Sequence, residues 1–171
     1  VRALRFVNSA ATGLRGQVST IRQALMLLGR ETLRNWIMLL MISDDDSKPD
    51  ELLTMALVRA RFCQLVALRE DMGDPSELFT IGLISLLDVL MDTDMETALE
   101  SIGASERYRE ILLAGEDAGA GARVLAAARY LESDADGAEP PKGLEVDDGM
   151  LAAFQDALVW TETVRRDLAV Q

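Results

Sequence analysis

The sequence predicts an all-α protein, and three observations carry that prediction. Of its 171 residues 49% are apolar but only 5% aromatic, so the apolar mass is Leu, Ala, Val and Met, a palette that favours helices. Apolar residues recur at i, i+3, i+4 and i+7 along most of the chain. No run of alternating β-branched residues bounded by turns is found. The pattern fits eight or so helices in a compact bundle, with no internal repeat.

Taken in order, the chain opens in mid-helix, with no capping residue before Ala3-Leu4-Arg5-Phe6-Val7, which predicts that the natural sequence continues upstream. A polar, glycine-bearing connection follows over residues 8–16. Ser19 or Thr20 can cap the next helix, whose stripe is Ile21, Ala24, Leu25 and Leu28, with Gly29 placed to end it. Leu33, Trp36, Ile37, Leu40 and Met41 form a second stripe. Residues 43–50 read as a solvated loop, and Pro49 suits the first turn of a helix over about 50–70. That helix carries a seam of small residues, Ala56, Ala60, Cys63 and Ala67, which allows close approach of a neighbour. Asp74-Pro75 reads as the cap and first residue of a helix running to about Leu90, apolar around nearly its whole circumference. Such a helix belongs at the buried centre. Thr93 with Glu96 forms a capping-box pattern, and Ser105 can cap a short helix through Leu113. Gly115 to Gly121 reads as a glycine-rich turn between helices. Residues 1–132 thus make the core, 133–143 a linker, and 144–171 a C-terminal amphipathic helix that packs on the core. Its inner face is Ala153, Ala157, Trp160, Val164 and Leu168.

Composition excludes several functions. With no histidine in the chain, a Ser-His-Asp or Cys-His site, a His-ligated zinc and an imidazole proton shuttle are ruled out. A net charge of −12 argues against a nucleic-acid binder that neutralises phosphates over a broad surface. The single cysteine, Cys63, permits no internal disulfide, suits a reducing compartment and reads as a buried, inert thiol. No signal peptide and no apolar run long enough to span a bilayer is visible, so a cytoplasmic protein without membrane insertion is expected. The charge is unevenly spread: residues 1–42 hold six arginines against Glu31, a net +5, and residues 43–171 carry a net −17. Arg5, Arg15, Arg22, Arg30 and Arg34 therefore form a candidate basic face for a partner or an anion. Pairing with acids elsewhere in the same fold is the open alternative.

Few other residues suggest chemistry. Asp44-Asp45-Asp46 lacks the alternate spacing and glycine turn of a calcium loop and reads as solvated. The Gly-x-Gly within 115–121 follows no strand, so it is not a phosphate cradle. Glu70-Asp71 and Asp147-Asp148 flank helix ends, where carboxylates act as caps and dipole partners. Met26, Met38, Met41 and Met55 read as core filler. No cofactor and no metal site is expected from these residues.

The opening block is more specific. Leu4-Arg5-Phe6-Val7-Asn8-Ser9-Ala10-Ala11-Thr12-Gly13-Leu14-Arg15, then Val18-Ser19-Thr20-Ile21-Arg22-Gln23-Ala24-Leu25 and Leu27-Leu28-Gly29, resembles the HDOD domain family. Within that motif Asn8, Ser9, Gly13, Gln23 and Gly29 are read as structural, since Asn and Ser side chains tie nearby backbone together. Residues 57–63 and 79–88 look like the HDOD portion that follows an EAL domain in bacterial two-domain signalling proteins, and Ala153 to Glu162 looks like that subgroup's C-terminal helix.

The resemblance implies an α-helical bundle related to the HD metal-dependent phosphohydrolases, in which histidines and a His-Asp dyad hold metals that activate water. The dyad should follow a Gly-Leu-Leu-like run. Here Gly82-Leu83-Ile84 is followed by Ser85-Leu86, and the upstream histidine position, around Arg59 to Arg61, is also changed. The resemblance therefore implies a non-catalytic regulatory domain linked to cyclic di-GMP signalling. It would act on a signalling protein, an adjacent EAL-type domain or a second copy. Direct binding of an anionic nucleotide such as cyclic di-GMP by the basic face is the other expectation, because arginine forks suit phosphates.

Overall fold

The computed structural model describes residues 50–133 and 140–169. Expectations for residues 1–49, 134–139 and 170–171, including the two apolar stripes over 21–28 and 33–41, the candidate basic face and most of the linker, lie outside the described residues. Among the described residues the chain is all-α. Its helices are α1 (Asp50–Glu70), α2 (Pro75–Ile84), α3 (Leu87–Met91), α4 (Met95–Ser101), α5 (Glu106–Leu113), a 3-10 turn (Gly115–Ala118), α6 (Ala120–Glu132) and α7 (Asp148–Ala169). None of these helices is long and apolar enough to cross a membrane.

The central packing is α1 against α2, with α7 and α6 laid along other sides of α1. The small seam of α1 makes this possible. Ala56, Ala60, Cys63 and Ala67 are all buried, and a Cβ added at Gly82 would lie 2.6 Å from the backbone of Ala60. The two backbones thus meet at Ala60 and Gly82, where no side chain separates them. Around this crossing Phe62, Ile81, Leu99, Val124, Leu125 and Ala157 fill one contiguous core. The inner face of α7 is as the sequence predicts: Ala153, Ala157, Trp160 and Val164 are buried, while the side chain of Leu168 lies outside the described set. Phe154 meets Phe62 edge to face at 5.8 Å between ring centroids.

Four local expectations are corrected. The helix expected over 74–90 starts as foreseen, with the Asp74 carboxylate accepting from the N–H groups of Ser76 and Glu77 at 2.9 Å. It then breaks at Ser85-Leu86 and resumes as α3. Ser85 Oγ donates to Gly82 O at 2.8 Å and its N–H bonds the same carbonyl at 3.3 Å, which draws the chain into a tighter turn. The cap of α4 is Asp94, not Thr93. Its carboxylate accepts from the Thr97 N–H at 2.9 Å and from Thr97 Oγ1 at 2.8 Å, while the Thr93 N–H closes the preceding helix on Asp88 O. Ser105 has N-cap geometry but makes no side-chain cap bond. Of the acidic pairs, Asp147 caps α7 through the Met150 N–H at 2.8 Å. Glu70 instead pairs with Arg69 at 2.7 Å, and Asp71 takes a left-handed conformation after the end of α1. The glycine-rich segment is a helix-to-helix turn, with Gly119 at a φ of 106° before α6.

Candidate functional site

Arg59 is the one arginine among the described residues that is buried outright, at 7% exposure. It sits one residue before Ala60, so the tight crossing with Gly82 fixes where its side chain can go. Its Nε donates to both carboxylate oxygens of Glu132 at 2.9 Å, and Nη2 donates to Oε2 at 2.7 Å. Nη1 donates to Ser85 Oγ at 3.2 Å. Ser85 passes a hydrogen bond on to Gly82 O. One guanidinium therefore ties α1 to the break after α2 and to the last residue of α6. A fork held on both oxygens of a carboxylate is among the strongest side-chain arrangements.

Arg129, one turn before Glu132, is exposed at the edge of this centre, and its pKa is lowered by partial desolvation and then by the like charge of Arg59, against the pull of Asp88 and Glu132. Asp88 Oδ1 is buried and accepts no hydrogen bond from the described residues. Cys63 lies beside the same charges. Burial pushes its thiol up to about 12, Arg59 opposing and Glu132 adding to the rise, so the inert thiol expected from the sequence is what the core holds. On another side of α1, Arg61 stacks over the Trp160 ring at 5.5 Å and its pKa is lowered by burial, Asp156 opposing.

Of the residues singled out in the sequence, Ser85 and Leu86 are described. Both are buried, and Ser85 is brought directly against Arg59. The stretch around Arg59 to Arg61 and the Ser85-Leu86 pair, to which the resemblance points, thus come together through Arg59 and Ser85, a guanidinium and a hydroxyl. Arg5, Arg15, Arg22, Arg30, Arg34, Asn8, Ser9, Gly13, Gln23 and Gly29 lie outside the described residues. What sequence reasoning missed is the Arg59–Glu132 pair, separated by 73 residues. The only available signal was a charged residue set between the buried Val58 and Ala60.

A divalent ion does not fit this centre. Hard cations need several convergent anionic or neutral oxygens, whereas the group facing Ser85 Oγ is itself a cation, and Glu132 is already spent on it. Among the described residues no three of His, Cys, Asp and Glu come together as a ligand set.

Fold and site together define an all-α bundle whose central polar position is filled by an arginine–glutamate–serine cluster. The HDOD domain family model matches residues 1–125, and the chain belongs to that family. It is similar to the cyclic di-GMP phosphodiesterase CdgJ of Vibrio cholerae, with 39% identity over 103 residues, covering 59% of this chain and 24% of that protein. It is also similar to the uncharacterized protein YuxH of Bacillus subtilis, with 30% identity over 114 residues, covering 64% of this chain and 28% of that protein. The chain therefore spans about a quarter of the curated relatives it matches. No solved structure shows a significant match.

Proposed function

We propose that this chain is a non-catalytic regulatory domain of a cyclic di-GMP-linked signalling protein, acting by contact with a partner or a neighbouring EAL-type domain. The observation that carries this reading is the Arg59 guanidinium bonded to Ser85, two residues within the stretches where the family resemblance would put the metal ligands of an HD-type centre. Membership of the HDOD family and the likeness to CdgJ support the signalling context. Any phosphodiesterase activity of the whole protein would belong to an EAL-type domain. The outward side of α7 supports action by contact, since Leu151, Leu158 and Val159 are exposed there at 44%, 46% and 70%. Such a domain works by binding two states of its partner with different affinity.

The basic stretch over residues 1–42, with a net charge of +5, favours a second reading, direct binding of an anionic dinucleotide. Titration calorimetry separates the two. An EAL-type domain added to the chain should give saturable heat that Leu158→Asp with Val159→Asp removes, and cyclic di-GMP alone should give none. Micromolar binding of cyclic di-GMP, lost in Arg15→Ala or Arg22→Ala, would replace the first reading with the second.

A further inference from the structure

We propose that the Arg59 guanidinium is the built-in cation of this domain, bridging α1, the break after α2 and the end of α6 at a junction whose residues do not fit a divalent ion. The inference stands apart from the choice of partner, because it concerns what holds the centre together.

Three observations support it. The guanidinium spends four hydrogen bonds on two groups from different elements, Glu132 at the end of α6 and Ser85 at the break after α2. A metal ion that bridges helices does the same with ligands from separate segments. The pair is also withdrawn from solvent, with side-chain exposures of 8% for Arg59 and 13% for Glu132. At that depth loss of one partner leaves an uncompensated charge in a poor solvent for it. Finally, the carboxylate best placed to hold a divalent cation is engaged, since Glu132 accepts three hydrogen bonds from Arg59.

The position cannot drift to make room. Arg59 precedes Ala60, whose backbone meets Gly82 with no space for a methyl group, and Ser85 lies three residues beyond Gly82 in the turn that this glycine's carbonyl closes. The close crossing and the guanidinium bridge are thus parts of one arrangement.

Thermal melts of the chain with manganese, magnesium or EDTA test the proposal. The wild-type Tm should not move with any of them, whereas an ion that bound the native state would raise it with concentration. Arg59→Met should lower Tm by about 10 °C, the loss expected when one partner of a buried pair is removed from a chain of this size. Arg59→Met with Glu132→Met should recover at least half of that loss, because the stranded carboxylate goes with the arginine. Arg59→Lys should fall between wild type and Arg59→Met, since it keeps the charge but not the fork. A saturable rise of the wild-type Tm with a divalent ion overturns the proposal. So does an Arg59→Met protein as stable as wild type, or a double variant no better folded than the single one.

Discussion

At position 82 a hydrogen in place of a methyl group decides how closely α1 and α2 approach. Gly82→Ala puts a Cβ 2.6 Å from the Ala60 backbone, and backbone cannot swing aside as a side chain does. The expected cost is about 1–3 kcal/mol or more by urea denaturation; a neutral result would mean that the crossing is looser than described. Half of this contact was legible in the sequence. The seam Ala56, Ala60, Cys63 and Ala67 announces a close neighbour by spacing alone, but nothing in a one-dimensional pattern says which glycine it meets. Cys63 gives a second test at this scale. With its thiol at about 12 and fully inside the core, it should resist a thiol reagent at pH 8 until the protein is unfolded. Labelling of the native protein at the rate of a free thiol would show that this part of the core opens readily. The Arg59–Glu132 pair was not legible, because its two ends become neighbours only when α6 folds back along α1.

Helix ends show where local rules suffice and where they compete. Asp74-Pro75 was readable because a capping carboxylate and a proline at the next position point the same way, and the structure uses both. At α4 two candidate caps stood side by side. Thr93 lost because its N–H closes the turn after α3, which leaves Asp94 in the extended conformation that a cap requires. The pattern over 78–90 is apolar all round, so it held no mark of the break at Ser85-Leu86. That break depends on a hydroxyl bonding back to Gly82 O, a contact that hydrophobic periodicity does not encode. The caps also make stability depend on pH. The Thr97 N–H, and then its hydroxyl, hold the Asp94 carboxyl below its usual range, and Arg69, then the Met150 N–H, do the same for Asp147. A depressed folded-state pKa contributes stability that is present above the unfolded-state value and is lost as pH falls through the folded one. Tm should therefore fall as pH drops below the ordinary carboxylate range. In Asp94→Asn the acid-side slope should be shallower; an unchanged slope would remove Asp94 from this role.

At the scale of the whole molecule, the fold class followed from composition and period, because Leu- and Ala-rich amphipathic segments have few other ways to bury their faces. Function was less legible. Zero histidine marks what the resemblance leads one to look for and not find, but the sequence does not show that Arg59 and Ser85 meet. The structure brings the two side chains together at 3.2 Å. It also separates the interior, where Arg59 is paired with Glu132, from the outside of α7, where leucine and valine side chains are exposed. A domain built this way should influence chemistry done elsewhere. The decisive experiment is to follow cyclic di-GMP hydrolysis with manganese present, for the chain alone, for an EAL-type domain alone, and for their mixture. The chain alone should release no linear dinucleotide, and increasing amounts of it should shift the rate of the EAL-type domain to a plateau. Hydrolysis by the chain alone, with no effect on the EAL-type domain, would mean that this domain is a catalyst and not a regulator.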